Sequence, residues 1–137
     1  MRKIEVVAVG FDGSPEACAA LSWAASLCGS LGASLEVVHA VGLLEEAHLV
    51  ASVPISEPEI HALARDAGLP ADRLDVNRLD GSPADVLLRL TTPPSRIDLL
   101  VVGSRGLGQK AGTVLGSTSL EVAERAAVPV VIIPAQA

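Results

Sequence analysis

Apolar residues gather in short unbroken runs along this chain, separated by stretches with the spacing of helices. Lys3–Val9 (KIEVVAV), Leu35–Ala40 (LEVVHA), Asp98–Val102 (DLLVV) and Val130–Ile133 (VVII) are β-branched or leucine-rich and end at glycine, proline or a small residue. Continuous runs of that length, without strict alternation, predict strands covered on both faces. Leu74–Leu79 is a weaker run of the same kind. Between the runs, Ser14-Pro15-Glu16-Ala17 opens a helix, with Ser14 as N-cap and Pro15 at the first helical position, where its missing N–H costs nothing. Leu21, Ala24, Cys28 and Leu31 form its apolar face, Trp23 is expected in the core, and Gly29 and Gly32 break its end. Ser56-Glu57-Pro58-Glu59 is a capping box that starts a second helix, closed by Gly68. Ser82-Pro83-Ala84-Asp85 begins a third, stopped after Leu90 by Thr91-Thr92-Pro93-Pro94. Ser117 is expected to cap a fourth, running to about Ala126, and residues 42–55 read as a loop. Strands alternating with helices predict an α/β domain, a parallel sheet with helices on both faces.

Composition narrows the function classes. The 137 residues suit one domain, 1–137, with a real core, and half of them are apolar. A net charge of −6, with Phe11 and Trp23 as the aromatics, disfavours a nucleic-acid reader, which needs basic surface and stacking platforms. Ala17–Leu35 carries no charge, but Ser22, Ser26, Ser30 and Ser34 repeat every fourth residue, the polar stripe of a water-facing helix rather than a membrane span. Cys18 and Cys28 stand ten residues apart on one helix, roughly 15 Å, beyond the ~7 Å reach of a disulfide. His39, His48 and His61 are scattered, without metal-ligand spacing. With no apolar signal core at the N-terminus, a cytoplasmic protein is expected.

The chemistry collects in two loops at strand ends. One is Gly10-Phe11-Asp12-Gly13-Ser14; the other is Gly103–Thr118, GSRGLGQKAGTVLGST. In open parallel sheets, ligands bind beyond the carboxyl ends of strands where the strand order reverses. Glycines there let a ligand approach the backbone. Gly116-Ser117 leads into a helix N-terminus, which suits an anion, and Arg105 and Lys110 add positive charge nearby. The combination points to phosphate. A Walker A loop is ruled out because Gln109 stands where lysine is required. Gly106-Leu107-Gly108-Gln109-Lys110-Ala111 fits a relaxed dinucleotide pattern, but it sits inside a long loop with only one helix and one strand to follow.

Gly103-x2-Gly106-x9-Gly116-Ser117 resembles the ATP-binding signature of the universal stress protein family at every position. VVAVGFDGSPEACAALSWAASL resembles that family's first strand, acidic turn and helix; LEVVHAV, VVGSRGLG and VPVVIIP resemble its second, fourth and closing strands. The resemblance implies a single-domain, Rossmann-like open sheet of five parallel strands in the order 3-2-1-4-5, of the adenine nucleotide alpha hydrolase-like kind. It implies ATP as ligand, with Mg2+ at Asp12. Asp12 then lies at the ribose or metal edge, and Ala40 offers backbone to the adenine. Gly103, Gly106, Gly116, Ser117 and Thr118 wrap the phosphates, and Gly10, Val102 and Arg105 complete the set. It further implies a homodimer joined through the C-terminal strand, acting as a nucleotide-dependent sensor or regulator in stress response. Asp12 is the only acid in either loop, and no histidine, cysteine or second carboxylate is placed beside it for catalysis. Two other readings stay open, a dimeric interaction protein that works without nucleotide and a slow Mg-dependent ATPase.

Overall fold

The computed structural model describes residues 3–41, 56–105 and 115–134. Five strands, β1 (Val6–Gly10), β2 (Ser34–Val41), β3 (Leu74–Asp80), β4 (Leu99–Gly103) and β5 (Val130–Ile133), form one sheet in the order β3-β2-β1-β4-β5. Every neighbouring pair is parallel. The described helices are α1 (Pro15–Leu31), α2 (Glu57–Asp66), α3 (Pro83–Leu90) and α4 (Ser117–Arg125), with a short 3-10 turn at Ala71–Arg73. None is long and apolar enough to cross a membrane.

Strand alternation sorts the apolar runs onto two cores. Val7, Val9, Leu35, Val37, Leu99 and Val101 face α1 and α2, where Leu21, Ala24, Cys28, Ile60 and Ala64 meet them. Ala8, Val38, Leu100 and Val102 face α3 and α4, against Val86, Leu87, Leu90 and Val122. Helices therefore cover both faces of the sheet centre, which is why β1 and β4 are apolar throughout, whereas the edge strand β3 (LDVNRLD) is mostly polar and only Leu74 in it is buried. The first ladder begins at Val6 and not at Lys3. The Asp98 carboxylate accepts from the N–H groups of Glu5 and Val6 at 2.9 and 3.0 Å, binding the entry to β1 onto the entry to β4.

The serine caps hold at three helices. Ser14 Oγ accepts from the Ala17 N–H, Ser56 Oγ from Glu59 and Ser82 Oγ from Asp85. Gly32 ends α1 in the left-handed region at φ 71°, as a glycine C-cap should. Three expectations for α1 fail. Gly29 does not break the helix, which runs on to Leu31. A Cβ built on Gly29 would lie 2.6 Å from the Gly68 carbonyl oxygen, so this glycine is where the segment after α2 packs against α1. Trp23 is not a core residue but 40% exposed, because it projects from the side of α1 opposite Leu21 and Cys28. Leu31 is likewise 45% exposed at the last turn. Cys18 and Cys28 are both free thiols, as the helical spacing requires. The expected loop at 42–55 lies outside the described residues.

β5 is an edge strand, half-buried along its whole length. Leu100 donates to the Pro129 carbonyl and Ser104 to the Ile133 carbonyl. Alternate β5 residues therefore face β4, and the N–H groups of Val130 and Ile132 turn toward the open edge.

Candidate functional site

The chain leaves β1 toward β2 on one side of the sheet and leaves β4 toward β5 on the other. The segments that follow these adjacent strands consequently run to opposite faces of the sheet, and a crevice opens between them. A cavity of about 150 Å³ occupies it.

On the β1 side, Phe11 donates to the Val38 carbonyl at 2.9 Å, extending the pairing one residue past the strand. The chain then turns: Asp12 Oδ1 accepts from the Ser14 N–H at 2.9 Å, and Gly13 sits at φ 82°, a conformation that favours glycine. Asp12 thus supports the turn into α1 and is also among the residues that line the cavity. On the β4 side, the end of β4 is tied to β5 and to the start of α4. Ser104 donates to Ile133 at 2.8 Å, Gly116 donates to the Ser104 carbonyl at 2.6 Å, and Ser119 Oγ donates to the Gly103 carbonyl. These bonds bring the start of α4 beside the end of β4.

Ser117 does not cap α4. Gly116 takes the N-cap position with extended backbone (φ −73°, ψ 163°), and no side chain bonds to the first turn. Glycine is accepted at N-caps, and the tight Gly116–Ser104 bond fixes it there. Ser117 becomes the first helical residue, and its side chain is exposed. The first-turn N–H groups of α4 are therefore left without the hydroxyl partner that α1, α2 and α3 each have.

Most of the expected binding set converges here. Gly10, Asp12, Ala40, Val102, Gly103, Arg105, Gly116 and Thr118 all line the cavity. Ser117 does not, and Gly106 and Lys110 lie outside the described residues. Phe11, Ala17, Val38, Pro83, Leu87 and Ser119 line it as well. Strand alternation from Ala40 could have found Val38. Pro83 and Leu87 carry no local signal, because α3 reaches the cavity only through the strand order. The lining divides by chemistry, with Phe11, Val38, Ala40, Leu87 and Val102 apolar and Asp12, Arg105, Thr118 and Ser119 polar.

Two glycines sit at close packing contacts. A Cβ on Gly10 would meet Leu87 Cδ1 at 2.9 Å, and one on Gly103 would meet the backbone and Cβ of Glu16 at 3.1 Å. The first turn of α1 thus rests against the end of β4. Across that contact, Arg105 Nη2 lies 3.6 Å from Glu16 Oε1, with the side chains 29% and 21% exposed. The nearby Cys18 thiol is pushed up by burial and then by the carboxylates of Asp12 and Glu59, which keeps it protonated and non-nucleophilic at neutral pH.

The universal stress protein family profile matches residues 3–134, nearly the whole chain. The chain belongs to the universal stress protein family. Universal stress protein Rv1636 of Mycobacterium tuberculosis is 31% identical over 144 residues, spanning 97% of this chain and 98% of the relative. Its crystal structure superposes with a TM-score of 0.60 at 30% identity, over 99% of both chains. A universal stress protein from Thermus aquaticus is 31% identical over 94% of this chain and 98% of its own. A universal stress protein solved in complex with cAMP matches at 29% identity and a TM-score of 0.73, over 96% of this chain and 98% of that one. The chain, with its five strands in the order β3-β2-β1-β4-β5, thus has the fold of these universal stress proteins.

Proposed function

We propose that this universal stress protein binds an adenine nucleotide in the β1–β4 crevice and acts as a nucleotide-dependent regulator in stress response. The observation that carries the reading is the crevice itself, an apolar pocket opening onto a helix N-terminus without a side-chain cap. A volume of about 150 Å³ is below the several hundred Å³ of a whole-ligand site. It suits one ring system, held between Val38, Ala40, Leu87 and Val102, with the rest of the ligand at the mouth. There Gly103, Gly106, Gly116 and Thr118, the Ser117 backbone and Arg105 are the expected phosphate contacts, with Gly10 and Asp12 beside the sugar. The free N–H groups and dipole of α4 favour a negative charge at that end. Kinship with a protein that holds cAMP supports an adenine ligand.

ATP with Mg2+ is the ligand expected from the glycine signature. Among the described residues no three acidic, histidine or cysteine side chains gather to hold a metal. That fits Mg2+, which commonly takes one or two carboxylates and completes its shell with phosphate oxygens and water. Asp12 is the carboxylate in place for this. The ion would neutralise polyphosphate charge, and Asp12 would fix the ligand against the β1 turn.

The functional unit is proposed to be a homodimer through β5. Its outward N–H groups and half-buried apolar side chains offer a short edge, bracketed by Pro129 and Pro134, that a second copy can pair.

Mass spectrometry of an acid extract of the purified protein, together with thermal melts, tests the nucleotide reading. A ligand at one hundred times its Kd adds about 2.7 kcal/mol, on the order of 5–10 °C in Tm for a domain of this size. Mg-ATP should give that shift and AMP a smaller one, and Asp12→Ala should blunt the Mg2+ dependence. A larger shift with cAMP than with Mg-ATP would move the assignment to a cyclic mononucleotide. Absence of any shift and of any copurified nucleotide would leave the interaction-protein reading.

A further inference from the structure

We propose that Glu16 sets how much negative charge the crevice accepts, by competing with ligand phosphate for the Arg105 guanidinium; this rests on the nucleotide reading above. Among the described residues lining the cavity, Arg105 is the one cation and Asp12 the one carboxylate. Glu16 stands just behind Gly103, its backbone and Cβ fixed against that glycine, with its carboxylate 3.6 Å from Arg105. Counting Glu16, the described mouth of the cavity carries two negative charges and one positive. An arriving phosphate therefore meets a cation already balanced by protein.

The geometry favours competition over orientation. A carboxylate that positions an arginine does so through the paired N–H···O bonds of a fork, near 2.7–2.9 Å. Here a single nitrogen–oxygen approach at 3.6 Å lies beyond hydrogen-bond length, so Glu16 supplies charge without fixing the guanidinium plane. Both groups are largely withdrawn from water, which limits screening. A phosphate at hydrogen-bond distance can take Arg105 from Glu16, but the displaced carboxylate stays within a few ångströms and repels each further charge on the ligand. The consequence is graded: an uncharged nucleoside is indifferent to Glu16, a monophosphate feels it, and a triphosphate without Mg2+ feels it most. Mg2+ then raises affinity partly by lifting this penalty.

Calorimetric titration of the full chain with adenosine, AMP and metal-free ATP, at low salt and at 0.5 M salt, tests the inference in wild type, Glu16→Gln, Glu16→Asp and Arg105→Gln. From Coulomb energies at an intermediate dielectric, Glu16→Gln should tighten AMP about threefold and ATP about tenfold, with adenosine within about twofold. The gain should shrink at high salt, Glu16→Asp should restore the wild-type ladder, and Arg105→Gln should weaken both phosphates but not adenosine. Weaker phosphate binding in Glu16→Gln would show that Glu16 orients Arg105, and an equal change for all three ligands would show a structural role. Either result overturns the proposal while nucleotide binding stands. If wild type binds none of the three ligands while Mg-ATP still raises its Tm, this proposal falls and the nucleotide reading stands; if Mg-ATP gives no shift either, both fall.

Discussion

Replacing Gly29 with alanine sets two physical effects against each other, and the structure decides the sign. Gly29 lies inside α1, where alanine is favoured over glycine by about 1 kcal/mol on helix propensity alone. The new Cβ, however, would stand 2.6 Å from the carbonyl oxygen of Gly68 and 3.2 Å from its carbonyl carbon. Ordinary contact begins at 3.4 Å, so a backbone segment must retreat by about 0.8 Å. That segment cannot swing aside as a side chain could. Leu69 follows it directly, buried at 2% exposure, and donates its N–H to the Ala64 carbonyl at 3.0 Å. Overpacking of this kind costs about 2–3 kcal/mol, in the upper part of its usual range because backbone is involved. The net expectation is a loss of about 1–2 kcal/mol, or roughly 2–7 °C in Tm. Urea and thermal unfolding followed by circular dichroism should show it, with the urea m-value unchanged. Gly29 is remote from the crevice, so ligand-induced shifts in Tm should keep their size in the variant. A Gly29→Ala protein as stable as wild type, or more stable, would refute the packing argument and leave propensity in charge.

Three further expectations bear on the site, the edge and the core. Ser119→Ala removes the donor to the Gly103 carbonyl and should cost about 1–2 kcal/mol of stability; it should also weaken nucleotide binding by loosening α4 from β4, which titration would measure. Ile132→Pro deletes an N–H that faces the open edge and leaves the bonds to β4 in place, so light scattering should find a dimer for wild type and a folded monomer for the variant. Burial pushes the Cys28 thiol up from 9.0 to about 11, against a smaller opposing pull from Arg73. Between those values the unfolded chain gives up the proton and the folded chain keeps it, so stability should fall as pH rises through this window, by at most about 1.4 kcal/mol per pH unit. Alkaline melts of Cys28→Ala should show a shallower fall, with the Cys18 contribution remaining because its thiol is raised too.

What the sequence determined alone is what short-range chemistry specifies. The apolar runs of β1 and β4 became central strands because residues covered on both faces have no alternative environment, and all five strands run parallel in the implied order. Ser14, Ser56 and Ser82 cap their helices because a hydroxyl and an N–H three residues on lie within one turn of each other. Gly32 closes α1 because its backbone is left-handed. The order β3-β2-β1-β4-β5, which the family resemblance implied, puts β1 beside β4, and their two glycine-bearing ends line one cavity. Tertiary structure decided the rest, wherever a residue's role depends on a neighbour distant in the chain. Gly29 reads locally as a helix breaker, and the Gly68 carbonyl makes it a contact point. Trp23 reads as core by its type, but its place on the side of α1 opposite Leu21 and Cys28 leaves it 40% exposed. Ser117 reads as a cap until the Ser104 carbonyl claims the Gly116 N–H and moves the helix start back by one residue. Leu87 and Glu16 enter the crevice and its rim from α3 and α1, through packing on Gly10 and Gly103. Spacing along the chain encodes bonds within a turn, whereas contacts between elements depend on crossing geometry, which the whole core sets together.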